Sequence, residues 1–146
     1  MGRHGIHSPY VYDFIETILQ DRKKLPYERL VHFPGLEDKY NMLLNRMSSY
    51  YGYKQAERIS NAGDADVLLL PEVPEQWAIC LNTYLQANRN DKVLYVPEIH
   101  MTAVHSRAWD KLRSDARVMM SIDLYGAGLL VFRDDFKEQQ YFVLKY

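Results

Sequence analysis

Glu98 and His100, two residues apart, are the pair best placed for acid–base chemistry in this sequence. They follow the apolar run Val93-Leu94-Tyr95-Val96, at the C-terminal end of a predicted strand, where open α/β sheets place their ligands. A carboxylate and an imidazole there could pass a proton between them or form part of a metal site. The alternative is a loop glutamate and a packing histidine, because two groups make a sparse constellation. His105 lies five residues beyond His100, which is not the i, i+4 spacing that brings two imidazoles together on a helix. His4, His7 and Ser8 form a second candidate group, for ligand binding, at the start of a helix whose N–H groups suit an anion. Their alternative is structural: Ser8 caps the helix and the imidazoles satisfy nearby carbonyls. Gly126-Ala127-Gly128 lies between two apolar runs with no helix after it, so it reads as a turn and not as a phosphate loop. Cys80 is the only cysteine and falls on the apolar side of a predicted helix, where a thiol acts as a small hydrophobe.

The bulk composition limits what these residues can serve. At 146 residues, 47% hydrophobic and 13% aromatic, the chain is expected to fold as one domain with its own core. Eighteen basic and nineteen acidic side chains leave a net charge of −1, so no broad basic field draws nucleic acid or a membrane surface. Arg22-Lys23-Lys24 is a short charge run that reads as a solvated helix end. No apolar stretch of signal-peptide or membrane-spanning length is found, and a cytoplasmic location is the expectation.

The elements that must position the candidates can be read in turn. Ser8-Pro9 starts a helix whose stripe is Tyr10, Val11, Phe14, Ile15, Ile18 and Leu19, ending near Lys23–Lys24. A second helix is predicted from about Leu36 to Tyr51, with Tyr40, Leu43, Leu44, Met47 and Tyr51 inward and Gly52 as terminator. The stretch 52–64 carries no clear assignment. The cluster Tyr50, Tyr51 and Tyr53 suits either an interface or the edge of a core. Val67-Leu68-Leu69-Leu70 and Val93–Val96 read as strands buried on both faces. The helix between them should bury Trp77, Ala78, Leu81, Tyr84 and Leu85. Thr102 caps a further helix with Val104, Ala108, Trp109 and Leu112 as core positions. Val118–Tyr125, Leu129–Phe132 and Tyr141–Leu144 are the last predicted strands, and the short glycine-rich connection makes the first two antiparallel. The expected fold is α/β: a reduced Rossmann-like, mostly parallel sheet flanked by helices, with an antiparallel strand pair at its C-terminal end. Residues 1–51 would be a helical segment and 65–146 the α/β core of that single domain.

Several stretches of this text resemble class I S-adenosylmethionine-dependent methyltransferases. The opening Gly2-Arg3-His4-Gly5-Ile6-His7-Ser8-Pro9-Tyr10-Val11-Tyr12 is similar to an N-terminal signature of a bacterial group of such proteins, G-x-H-G-[IV]-H-S-P-[FY]-V-[FY]. Lys39–Tyr51 resembles the helix before their first strand. Val93–His100 resembles a strand ending in D-D-I-H, and Ser121-Ile122-Asp123-Leu124-Tyr125 resembles S/T-I-D-L-[FY]. Tyr141–Tyr146 resembles their terminal strand.

The departures are as informative as the matches. The resemblance implies a loop of the type E-[LI]-G-T-x-x-G after the first strand, where glycines let backbone and cofactor meet. Here Gln55–Gly63 retains only Gly63, and no counterpart of the family's second and third strands precedes Asp66–Leu70. The D-D-I-H segment reads Pro97-Glu98-Ile99-His100. The expectation is a shortened methyltransferase-like protein without standard S-adenosylmethionine binding, acting as a binding or assembly module. Loss of two strands would leave an open sheet edge, to be paired in a homodimer or covered by the N-terminal helices. The alternative is an active S-adenosylmethionine-dependent methyltransferase, completed by a partner chain, with Glu98 and His100 near its substrate.

Overall fold

The computed structural model describes residues 8–20, 32–59, 65–86 and 92–146. It divides into two compact units, Met1–Lys54 and Gln55–Tyr146.

The first unit is helical. Helix α1, Pro9–Asp13, starts at Ser8, whose side chain accepts the Val11 N–H at 3.3 Å. Proline at the first position costs nothing there, because that N–H would have had no helical partner. The winding then widens to a π-helix over Phe14–Gln20, where regular periodicity predicts a continuous α-helix. Arg46, fully buried, donates to the carbonyls of Ile18 at 3.2 Å and Thr17 at 3.1 Å in this segment. Of the predicted stripe, Tyr10, Val11, Phe14, Ile18 and Leu19 are buried and Ile15 half-buried; the expected end at Lys23–Lys24 lies outside the described residues.

Helix α2 spans Asp38–Tyr51 and stops at Gly52, whose φ of 78° is the left-handed conformation glycine adopts without strain. Tyr40, Leu43, Leu44 and Met47 are buried as predicted. Asn41, buried beside them, ties down the preceding loop: it accepts the Phe33 N–H at 2.9 Å and donates to the carbonyls of Phe33 and Leu36. The tyrosine cluster belongs to this unit. The Tyr51 ring stacks on Tyr10 at 5.1 Å and meets Tyr50 edge-on at 5.0 Å. Tyr53 is buried while Tyr50 is half in solvent, so the cluster forms the margin of a core.

The second unit is an α/β layer. Its strands are β1 (Ala56–Arg58), β2 (Val67–Leu69), β3 (Lys92–Pro97), β4 (Met120–Asp123), β5 (Ala127–Phe132) and β6 (Gln140–Val143). They form one six-stranded sheet in the order β1-β2-β3-β5-β4-β6. β1, β2 and β3 are parallel to one another, β5 runs antiparallel to both β3 and β4, and β6 is parallel to β4. The sheet is therefore parallel but for one reversed strand, as expected. The short β1, in a stretch the sequence left unassigned, carries Glu57 and Arg58; an edge strand needs no continuous apolar run.

Helices α3 (Trp77–Gln86), entered through the single 3₁₀ turn Pro74–Gln76, and α4 (Ala103–Arg113) share a core with one face of the sheet. Trp77, Leu81, Tyr84, Trp109 and Leu112 join Leu68, Leu94, Val96, Leu130 and Phe132 there. Two predicted core positions are not core. Ala78 is exposed, and Val104 is 42% exposed, at the start of a helix whose buried residues are Trp109 and Leu112. Cys80 is half-buried against the core margin, and burial pushes its thiol above the ordinary value.

The sheet register explains the placement of the site. Val96, Gly128, Asp123 and Val143 lie in one cross-strand row. Gly128 leaves a gap in that row which the Trp109 ring fills: a Cβ at Gly128 would stand 2.5 Å from Trp109 Cη2 and Cζ3. Gly128 is thus a packing glycine within β5, and the turn predicted at 126–128 is confined to residues before Ala127. Trp109 in turn makes the Asp123 end of the row an enclosed place.

Candidate functional site

The site forms where β3 and β4 both end. β3 stops at Pro97, and the chain turns through Glu98, Ile99 and His100 before Thr102 caps α4 by accepting the His105 N–H at 3.3 Å. On the next strands, Leu124-Tyr125-Gly126 links β4 to β5. Leu124 donates to the Ala127 carbonyl at 2.8 Å, and Gly126 donates back to Leu124 at 3.0 Å. That three-residue closure holds Tyr125 at φ 76°, a strained γ-turn for a residue with a side chain. Glu98 also has positive φ, 47°, and its N–H donates to the Gly126 carbonyl at 2.9 Å. Two strained, non-glycine residues are thus tied together beside the site, a pattern that concentrates at functional positions.

Asp123 is the centre of the arrangement. Its side chain is 4% exposed, at the end of a strand whose four residues are all buried. Ser121 and Asp123, which alternate with Met120 and Ile122 along β4, are both buried. The carboxylate accepts from three donors: His100 Nε2 at 2.6 Å, Tyr141 Oη at 3.1 Å and the Tyr125 backbone N–H at 2.8 Å. Buried carboxylates are stable only when so satisfied. Burial pushes the Tyr141 hydroxyl above its ordinary value; the Trp109 indole N–H opposes this and the Asp123 carboxylate reinforces it. Tyr141 therefore stays protonated at neutral pH and remains a donor. The Arg113 guanidinium lies over its ring at 4.1 Å.

His100 connects this buried carboxylate to solvent, with a side chain 38% exposed. A carboxylate oxygen accepts, so Nε2 is the donor in the contact with Asp123. Nδ1 lies 3.2 Å from Ser106 Oγ on the first turns of α4. The Tyr125 ring, 60% exposed, stands 6.0 Å from the imidazole.

The predicted partnership is thus changed. His100 is where sequence reasoning placed it, but its carboxylate partner is Asp123. Glu98 is exposed, and among the described residues no hydrogen bond or ion pair links it to His100. Its backbone serves the turn. Asp123 and Ser106 carry no candidate role in the sequence; Asp123 stands out there only within Ser121-Ile122-Asp123-Leu124-Tyr125, the stretch that resembles S/T-I-D-L-[FY]. Ser8 is buried and its hydroxyl is taken up in capping, while His4 and His7 lie outside the described residues. His105 is turned away from this cluster: its ring accepts from or donates to Thr102 Oγ1 at 2.7 Å and meets Trp77 edge-on at 5.9 Å. Among the described residues, no group of three or more His, Cys, Asp or Glu side chains is arranged to hold a metal ion. A groove between α3 and α4, lined by Trp77, Leu81, Ala108 and Lys111 among others, includes neither His100 nor Asp123.

In comparisons with known proteins, the chain matches no family model, no curated protein and no solved structure. Among the described residues, no helix is long and apolar enough to cross a membrane.

Proposed function

We propose that this chain is a shortened, methyltransferase-like α/β protein that has given up standard S-adenosylmethionine binding and works as a binding or assembly module. The observation that carries the reading is the place of β1, the terminal strand of the sheet. The resemblance implies two further strands beyond it, one bearing the acidic residue that holds the cofactor ribose. The residues leaving β1 also argue against close approach of a cofactor. Where the family has its first glycine this chain has Ile59, whose side chain packs against the core cluster. The reversed strand β5, late in an otherwise parallel sheet, supports the family resemblance itself.

The module reading includes a homodimer. β1 and β6 are the two ends of the sheet, and edges of this kind are paired or covered in stable proteins. Concentration-dependent light scattering tests this, and a monomer at all concentrations counts against it.

One observation favours the alternative, a methyltransferase that retains some cofactor contact. Glu57 Oε2, on β1, is buried with no hydrogen-bond partner. An unmet buried acceptor suits a ligand N–H or O–H. Calorimetric titration with S-adenosylhomocysteine separates the readings. The module reading expects no heat of binding from the folded protein; saturable binding that is weakened by Glu57→Gln would install the alternative.

A further inference from the structure

We propose that Ser106, His100 and Asp123 form a nucleophilic relay that cleaves small activated esters. This inference stands apart from the reading above, since it needs neither the cofactor nor a partner chain.

The relay has the three parts that hydroxyl nucleophiles require: a hydroxyl, a base within hydrogen-bond reach of it, and a group that orients the base. Ser106 Oγ lies 3.2 Å from His100 Nδ1, and His100 Nε2 lies 2.6 Å from Asp123 Oδ2. Asp123 is itself fixed by Tyr141 and by the Tyr125 N–H, so the imidazole is held through its rear nitrogen with the tautomer that makes Nδ1 basic. The strained turns at Glu98 and Tyr125 bracket the imidazole. The order of contacts also runs from inside to outside: the carboxylate is buried, the imidazole is partly exposed and the hydroxyl is half-buried at the surface. The exposed Tyr125 ring gives an aromatic shoulder beside the imidazole, which suits an aryl ester.

The chemistry balances without any further reagent than water. Ser106 Oγ forms a bond to the ester carbonyl carbon as its proton passes to His100 Nδ1. The bond from that carbon to the leaving oxygen breaks, the proton leaves with the alcohol or phenol, and the acyl group remains on Ser106. Water then adds to the acyl carbon, giving its proton to Nδ1. The acyl–Oγ bond breaks, the serine hydroxyl regains the proton and the carboxylic acid departs. Asp123 keeps its charge throughout and acts by holding the imidazole.

The test uses the full chain and a fluorophosphonate probe, which bonds covalently to activated serines, with peptide mapping of the labelled protein. The expected result is a single label on Ser106. It disappears in Ser106→Ala and forms about a hundredfold more slowly in His100→Gln. Both changes are at exposed or half-buried positions, and an unaltered circular dichroism spectrum shows that each variant is folded. For Asp123, a positioning residue, the readout is the Nε2 proton of His100 in the NMR spectrum: present in the natural protein and absent in Asp123→Asn. An unlabelled folded protein, a label that persists in Ser106→Ala, or His100→Gln labelling at the natural rate overturns the proposal. Hydrolysis of p-nitrophenyl acetate that stops with Ser106→Ala supports it; hydrolysis unchanged by that substitution overturns it.

Discussion

Replacing Gly128 by alanine tests how α4 is seated on the sheet and how Asp123 becomes enclosed. The added methyl would stand 2.5 Å from two Trp109 ring carbons and 3.0 Å from a third. Ordinary carbon–carbon contact lies at about 3.5–4.0 Å, so about 1 Å of separation must be found. Trp109 is fully buried within the core cluster and its ring is rigid, so it cannot swing into solvent, and the backbone of β5 is held between β3 and β4. Overpacking of this kind costs about 1–3 kcal/mol. For a chain of this size that is a fall in melting temperature of about 3–10 °C. The assay is urea unfolding followed by tryptophan fluorescence, repeated in Trp109→Leu and in the double variant. Trp109→Leu removes the group that the methyl strikes, so Gly128→Ala should cost distinctly less in that background, a coupling of about 1 kcal/mol or more. A Gly128→Ala protein as stable as the natural one, or equal costs in both backgrounds, would refute the placement of Trp109 over Gly128.

Two other outcomes are expected. Arg46→Met takes two charged donors from the carbonyls of Ile18 and Thr17 inside the helical unit and should cost about 3 kcal/mol in urea unfolding; an unchanged midpoint would mean that those carbonyls need no partner. Hydrogen bonding to the Arg117 guanidinium holds the Asp115 carboxyl below its ordinary value, with burial opposing. Because that value is depressed in the folded state, the stabilisation is present above the unfolded carboxylate value of about 3.9 and is lost as pH falls through the folded one. Asp115→Asn should therefore show a smaller loss of melting temperature than the natural protein when pH drops from about 5 to about 3.

The strands at Val67, Val93 and Leu129 could be read directly because buried strands need apolar side chains on both faces. Ser8-Pro9, Gly52 and Thr102 marked helix ends because each has a local stereochemical task. What the sequence hid is non-local. Asp123 meets His100 across 23 residues, and Tyr141 meets Asp123 across 18. Neither spacing has a periodicity to reveal it. Alternation within a strand distinguishes polar from apolar but not exposed from covered, and Trp109 seats over Gly128, the neighbour of Asp123 in the row, only because that residue has no side chain. Glu98 misled for the opposite reason. It is adjacent to the right histidine in sequence, yet its positive φ turns it into a backbone element of the turn.

The central claim, that the sheet ends at β1 and with it the cofactor site, is met most directly by calorimetric titration of the folded protein with S-adenosylhomocysteine. No saturable heat at millimolar ligand is the predicted result. One-site binding, reduced by Glu57→Gln at the end strand, would contradict the claim and show that a cofactor site survives.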